Sequence, residues 1–243
     1  MQRSQGQRTT QSRELSLRKP TPDSLYWSQP LGGNPRRLIF RIPRAVLPRR
    51  DIGAAIGSGT HSIIFKTRSR SSRVIRIGNA RNDQGGFRTR EIIKIARYMG
   101  KKKHRIGPTV YRTWHGIGMQ KAMGKWKETY LSYIEQDRFD YTLRTVALQN
   151  LLSRPQRHKV YDKIKKLVAA MHKLGYVHGD LHNENVMLKV KMTKTKRRRR
   201  GHVRVMRVLD VRLIDFGAAR KLTASKKHRE LHKVKSLAWY LSV

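Results

Sequence analysis

The chain has 243 residues, and its 56 Lys and Arg against 15 Asp and Glu give a formal net charge of +41. It contains no cysteine, which excludes disulfides, thiolate metal sites and cysteine nucleophiles. No apolar run is long enough for a transmembrane helix, and the N-terminus lacks the apolar centre of a secretory signal. A charge of this size predicts a polyanionic partner, because neutralising phosphates releases counterions. Nucleic acid or nucleoprotein is favoured over a membrane surface.

The first half of the chain is predicted to be rich in strands. Residues 1–35 combine Gln, Arg, Ser, Pro and Gly with few apolar residues, which predicts a disordered basic arm. Apolar and β-branched runs separated by turn residues then predict strands at 38–40, 56–65, 73–77, 110–114 and 129–134. Between the third and fourth of these, Ile92, Ile95, Ala96 and Met99 recur at helical spacing, and Gly100 follows as the helix end.

The second half is predicted to be mostly helical. A long helix is indicated by apolar residues at helical spacing, namely Tyr161, Ile164, Leu167, Val168, Met171 and Leu174. Gly175 marks its end. A terminal helix is indicated in the same way by Leu231, Val234, Ala238 and Leu241.

Two polar segments carry the chemistry. The first, 178–185, places Asp180 five residues before Asn185, and the second places Asp215 ahead of Phe216 and Gly217. Apolar residues flank both segments, so each is expected at the end of a short buried strand. Two carboxylates and an amide in this order are typical of phosphoryl transfer, in which one carboxylate orients the attacking hydroxyl and the other two groups hold magnesium.

A basic tract, residues 189–200, lies between these segments and ends in four consecutive arginines. Its position predicts a protruding hairpin or loop near the polar segments. The overall charge favours a contact with nucleic acid or another polyanion, and the alternative is a solvated insertion.

From Ile52 to Lys221 the chain resembles the protein kinase superfamily, and among its members the compact serine/threonine kinases of large DNA viruses. The resemblance implies an α+β, two-lobed fold. Residues 36–135 would form a β-rich lobe with one helix, and residues 136–243 a small, mostly helical lobe with a basic insertion at 189–204. No Ala-Pro-Glu motif follows Gly217, so the second lobe is expected to be truncated.

The resemblance also implies a nucleotide site for ATP in the first lobe. Four residues match the glycine-rich loop that covers the phosphates: Gly57, Ser58, Gly59 and Ser62. Arg76 stands where the family has a phosphate-binding lysine, and it is expected to pair with Glu91 at the start of the helix. A guanidinium keeps the charge but is wider than an ammonium. Backbone groups of Glu135 and Gln136 are expected to bond the adenine edge.

The family's catalytic residues match the two polar segments. Asp180 is expected to orient the substrate hydroxyl, and Asn185 and Asp215 to bind Mg²⁺. His182 stands where a lysine often contacts the transferred phosphate. The family's arginine, which grips a phosphorylated activation segment, is replaced by Gly179, which argues against regulation by that route.

His178 is expected to be a structural hydrogen-bonding residue rather than a general base. The His-Gly-Asp-Leu-His sequence that it opens is also common in kinases of small molecules.

Three hypotheses follow for the function. The first is an ATP- and magnesium-dependent serine/threonine protein kinase that associates with nucleic acid or nucleoprotein. The second is a pseudokinase that serves as a basic nucleic-acid-binding scaffold or packaging protein, which the arginine at position 76 favours. The third is a small-molecule phosphotransferase. An intracellular location is expected, in the nucleus, the cytoplasm or a virion core.

Overall fold

The structure, a computed structural model, describes residues 39–41, 52–59, 62–79, 87–122, 125–197 and 201–243. The predicted N-terminal arm lies outside these ranges. The described chain is a mixed α+β structure with a strand-rich first part, which confirms the predicted α+β class. None of the helices in the described ranges is long and apolar enough to cross a bilayer.

A six-stranded antiparallel sheet forms the first part. Its strands are β1 (Ile39–Arg41), β2 (Ile52–Gly59), β3 (Ser62–Thr67), β4 (Arg73–Asn79), β5 (Val110–Ala122) and β6 (Lys125–Asp137). They lie in the order β1-β5-β6-β4-β3-β2. The run predicted as one strand at 56–65 is two strands, β2 and β3, which pair with each other. Gly57 and Gly59 lie at the end of β2, and glycines at such a position are typical of a chain reversal, which an apolar pattern alone does not reveal.

One helix, α1 (Phe87–Met99), connects β4 to β5. It begins four residues before Glu91, the residue expected to open it, because the first turn lacks the apolar spacing that marks the rest. Its buried residues Ile95 and Met99 pack into the core of the second part of the chain. The helix therefore joins the sheet to that core.

The sheet buries one small apolar cluster. Side chains alternate along strands, so Ile63 and Phe65 of β3, Ile75 and Ile77 of β4, and Tyr133 of β6 share one face. The register places Ile77 opposite both Ile63 and Tyr133, which stacks these side chains across three strands.

The second part combines helices with a long hairpin. Its elements are β7 (Tyr141–Thr142), α2 (Leu143–Leu148), α3 (Arg154–Lys173), β8 (Tyr176–Val177), β9 (Val186–Arg197), β10 (Gly201–Leu213), β11 (Arg220–Lys221) and α4 (Ala224–Leu241). β9 and β10 form the hairpin and β7 adds to the outer side of β9, while β8 pairs with β11.

Both long helices were predicted, with differences at their ends and faces. α3 begins at Arg154, seven residues before Tyr161, which is the first residue of the apolar pattern that predicted this helix. The helix begins earlier because Ser153 and Gln156 form a capping box and Pro155 is compatible with the first turn. Gly175 follows its end with φ of +78°, as a helix stop requires. α4 buries Val234 and Leu241 as expected, but not Leu231, whose side chain is 43% exposed.

A buried ion network ties together three strands of the sheet. The Glu135 carboxylate on β6 is 2% exposed and accepts hydrogen bonds from Arg73 Nη1 at 2.8 Å and Arg112 Nε at 2.6 Å. The Arg73 guanidinium also lies 3.4 Å above the Tyr111 ring. Burial by itself would raise the pKa of Glu135, but the two arginines outweigh it and lower the pKa below its ordinary value.

We expect the Glu135→Gln variant to lose roughly 3 kcal/mol of unfolding free energy at neutral pH, because both arginines lose their charged partner. The folded-state pKa of Glu135 is lowered, so its contribution is present above the ordinary value of 4.5 and is lost as the pH falls through the folded pKa. Urea denaturation at several pH values measures both effects, and the variant should show a flatter acid decline.

Asp162→Asn, which removes an exposed carboxylate paired with Lys165, is the control and should leave stability unchanged. Equal stability of the Glu135 variant and the wild type at neutral pH would contradict the network's role.

Candidate active site at the base of the hairpin

The two polar segments meet at one end of the β9–β10 hairpin. β9 begins at Val186, directly after the first segment, and β10 ends at Leu213, directly before the second. Val186 and Leu213 are paired, and the Ile214 N–H donates to the Asn185 carbonyl at 2.9 Å. Residues 27 and 29 positions apart in the sequence are therefore neighbours.

Asn185 organises the first segment. Its side chain is buried, and Nδ2 donates to the Asp180 carbonyl at 2.8 Å. The same nitrogen lies 2.9 Å from His182 Nε2 and 3.4 Å from Asp180 Oδ2. The Asp180 carboxylate is exposed, with Oδ2 3.5 Å from His182 Nε2. Because the amide nitrogen faces the loop, the amide oxygen is the atom left to bind a cation.

Asp215 has an unusual backbone conformation. Its φ and ψ are 59° and 69°, in the left-handed region, which costs a non-glycine residue on the order of 1–3 kcal/mol. Its carboxylate is 46% exposed and accepts a hydrogen bond from the Gly217 N–H at 3.3 Å. Phe216, the next residue, is buried against His178 with ring centroids 5.4 Å apart. The buried ring anchors the turn that presents the carboxylate.

The sheet contributes a cation to this site. Arg76 on β4 donates from Nε to Ser62 Oγ at 3.0 Å, and its Nη2 lies 3.7 Å from Asp215 Oδ1. The expected partner of Arg76 was Glu91. The structure instead leaves the Glu91 side chain exposed on α1, without an ion pair to any side chain that is described. The planar guanidinium bridges Ser62 and Asp215, which a single ammonium cannot do in the same way.

The predicted phosphate loop lies on the neighbouring strands. Gly57, Ser58 and Gly59 end β2, and Gly59 pairs with Ser62 at the start of β3. A Cβ added at Gly57 would meet no heavy atom within 4 Å, so the backbone there borders open space. Ser62 therefore pairs with the glycine-rich strand through its backbone and accepts a hydrogen bond from Arg76 through its side chain.

Glu135 and Gln136, the two residues expected at the adenine edge, lie near the end of β6. Both lie inside β6 and pair on both sides, Glu135 with Ile75 of β4 and Arg112 of β5. The backbone groups of a strand between two neighbours are used by the ladder, and the Glu135 side chain is used by its arginines. The expectation that the backbone groups of these two residues bond an adenine edge stays a prediction.

Gly179 is required by a close approach of two chain segments. Its φ is +81°, and a Cβ at this position would lie 2.1 Å from the Ala218 carbonyl oxygen. The first polar segment packs directly against the turn that follows Asp215. The same contact leaves no room for the arginine that the kinase family has at this position.

His178 is a structural residue. Its ring is fully buried, and its Nε2 lies 2.8 Å from the Ile214 carbonyl, to which it can donate as the Nε2–H tautomer. Burial lowers the pKa of His178, so the neutral ring is favoured. The hydrogen bond links the two polar segments a second time.

Sequence reasoning missed the residue that holds the loop. Glu230 on α4 is 3% exposed, and its Oε1 accepts from the backbone N–H of His178 at 2.7 Å and of Gly179 at 3.1 Å. Its Oε2 lies 2.7 Å from His172 Nε2. The sequence contains a signal for this residue. Glu230 lies four residues before Val234 on the apolar face of the helix, and a carboxylate at such a position predicts a buried partner.

α4 adds a cation beside the loop. Lys233 Nζ donates to the Gly179 carbonyl at 3.2 Å. Glu230 and Lys233 thus bind the N–H and the carbonyl of one residue, from two positions three apart on the helix. The backbone next to Asp180 is therefore held by both of its polar groups.

No protein-family model matches this chain, and no curated protein matches it. Within the described ranges, no cluster of three or more His, Cys, Asp or Glu side chains could hold a metal ion by itself. The oxygen donors that the site offers are the Asn185 amide and the carboxylates of Asp180 and Asp215, and Asn185 and Asp215 are the pair expected to bind the metal. This set suits a magnesium ion that takes its remaining ligands from phosphates and water.

We expect Glu230→Ala to lower the unfolding free energy by roughly 2–5 kcal/mol, because it leaves two backbone N–H groups and His172 without their buried acceptor. Urea denaturation measures the loss. Hydrogen exchange should also show faster exchange of the His178 and Gly179 amides.

Glu184→Ala is the matched control, since it removes an exposed glutamate that pairs with the exposed Arg144. It should change neither stability nor exchange at the loop. Unaltered exchange at His178 in the Glu230 variant would contradict the assigned role.

Proposed function

We propose that this protein is an ATP- and magnesium-dependent phosphotransferase with a two-lobed, protein-kinase-like fold, acting on serine or threonine hydroxyls of proteins. The observation that carries the proposal is the convergence of Asp180, Asn185 and Asp215 at the base of the hairpin, with Arg76 reaching Asp215 from the sheet. An antiparallel sheet with one helix, followed by a part that combines three helices with a long hairpin, supports the fold that the sequence resemblance implies.

Each residue has a role in this reaction. Asn185 and Asp215 would hold Mg²⁺, which neutralises the phosphate charge when bound. Arg76, already held by Ser62, would contact the phosphates. The acceptor oxygen attacks the γ-phosphorus, the bond to the β-phosphate oxygen breaks, and ADP leaves. Asp180 orients the hydroxyl and accepts its proton.

A second candidate, a pseudokinase scaffold, is favoured by one specific contact. The Arg76 guanidinium lies 3.7 Å from the Asp215 carboxylate and so offsets its charge without a metal ion. In that case Asp215 would be a structural partner of arginine. The two candidates differ in whether magnesium and nucleotide replace this ion pair.

The net charge of +41 supports association with nucleic acid, and the hairpin supplies a basic projection. β9 and β10 pair from Val186 and Leu213 to Arg197 and Gly201. A strand of this length extends about 40 Å. The candidate site lies at the end of the hairpin where Val186 pairs with Leu213. Of the basic tract, only the residues next to this end are therefore near the candidate site. Residues 198–200 lie outside the described ranges.

We expect the wild type to transfer labelled γ-phosphate from magnesium-ATP to a basic nucleoprotein. Asp180→Ala should lower the rate by about 10²–10⁴-fold, because the hydroxyl loses its proton acceptor. Asp215→Ala should also abolish the thermal shift caused by magnesium-ATP, because it removes the only carboxylate of the metal set.

Asp162→Ala is the control and should keep full activity, because it removes an exposed carboxylate in the middle of α3 that pairs only with the exposed Lys165. A folded wild type that transfers no phosphate and shows no shift would support the scaffold. A shift that persists in Asp215→Ala would reject the metal ligation.

We expect that neutralising the four arginines at 197–200 weakens binding to duplex DNA. The slope of log K against log salt should fall by about 0.9 for each DNA phosphate that the variant no longer neutralises. Fluorescence anisotropy at several salt concentrations measures this.

The control neutralises four exposed basic residues of α3, which are Arg154, Lys159, Lys163 and Lys166. It changes the net charge equally, so a general charge effect would alter both variants alike. An equal fall in slope for the two variants would reject a specific contact of residues 197–200.

A further inference from the structure

An apolar groove of about 630 Å³ lies between α3 and α4. Its floor includes Val168 and Val234, which are buried in the larger core, and Leu222 and Leu231, which lie nearer the surface. Leu231 is 43% exposed, although it is large and apolar. The core therefore continues to an apolar surface that is open to solvent.

Lysines surround this floor. Those that line the groove are Lys165, Lys173, Lys227 and Lys235. Lys165 pairs with Asp162 at 2.8 Å, and within the described part of the chain the other three form no ion pair. An apolar floor with a cationic rim, of which Lys173, Lys227 and Lys235 are not engaged in these ion pairs, is complementary to a ligand that is apolar on one side and acidic at its edges.

The dimensions fit a short helix. The lining residues extend over 161–173 on α3 and 227–235 on α4, which corresponds to about 18 and 12 Å along the two axes. A helix of two to three turns has this length and can place apolar side chains three and four residues apart into such a groove.

Charge excludes two other occupants. A second copy of this chain would bring another formal charge of +41 to a lysine rim. The N-terminal 35 residues contain more basic than acidic side chains and fit the rim no better.

We propose that the α3–α4 groove is the docking site for an acidic amphipathic helix of a partner protein. Leucine-type side chains occupy the floor over Val168, Leu231 and Val234, and Glu or Asp side chains pair with Lys227 and Lys235. The proposal does not depend on phosphoryl transfer.

The groove is adjacent to the support of the polar loop. His172 is one of the groove's lining residues, and its Nε2 lies 2.7 Å from Glu230, whose other oxygen binds the loop backbone. A docked helix is thus separated by one side chain from the carboxylate that positions the His178–Gly179 backbone.

The test uses a synthetic peptide of about 12 residues with leucines on one helical face and glutamates on the other, carrying a fluorophore. A scrambled peptide of the same composition has the same charge but no apolar face. Anisotropy titration of the full chain should give at least about tenfold tighter binding of the amphipathic peptide. Leu231→Gln should remove that preference, and Lys227→Glu with Lys235→Glu should weaken binding to a similar extent.

Lys163→Glu with Arg229→Glu is the control, because both residues are exposed on the same two helices and neither lines the groove. Circular dichroism confirms that each variant is folded. Equal binding of the two peptides, or unaltered binding by Leu231→Gln, would overturn the proposal. Binding to phosphatidylserine vesicles that is lost in the same variants, without a peptide preference, would overturn it in favour of a lipid surface.

Discussion

The geometry of the candidate site depends on the buried carboxylate of Glu230. It accepts two backbone hydrogen bonds from the loop that carries Asp180, and it also contacts His172 on α3. A buried carboxylate is stable only when its oxygens are satisfied, so α3, α4 and the loop must come together as one unit. The exposed Asp180 side chain is precise in position because its backbone is not free to move.

Close packing of the two polar segments adds to this constraint. Gly179 approaches the Ala218 carbonyl at a distance that no other residue tolerates, while Asn185 and His178 link the segments by hydrogen bonds. The left-handed conformation of Asp215 is maintained by these contacts and by the buried Phe216 ring. A strained carboxylate held in this way is suited to binding a charged group, whether a magnesium ion or the Arg76 guanidinium.

The scarcity of carboxylates makes their placement informative. Glu135 binds two arginines in the sheet, Asp210 binds the buried Arg212, and Glu230 binds the loop. These three offset positive charge or satisfy buried donors inside the protein. Asp180 and Asp215 are exposed instead, and they lie at the same end of the hairpin. The proposed function rests on this pair.

The α+β class, the two long helices and the two polar segments could be predicted from the amino-acid sequence, because apolar periodicity and glycine positions are local properties of the chain. The sequence did not determine which side chains those segments would meet. Arg76 pairs with Asp215 rather than Glu91, Glu135 is buried with arginines, and Glu230 supports a loop more than 50 residues away. Such contacts form only when the chain folds, because the partner of a buried charge depends on which elements pack together. The local spacing of residues along the chain does not contain that information.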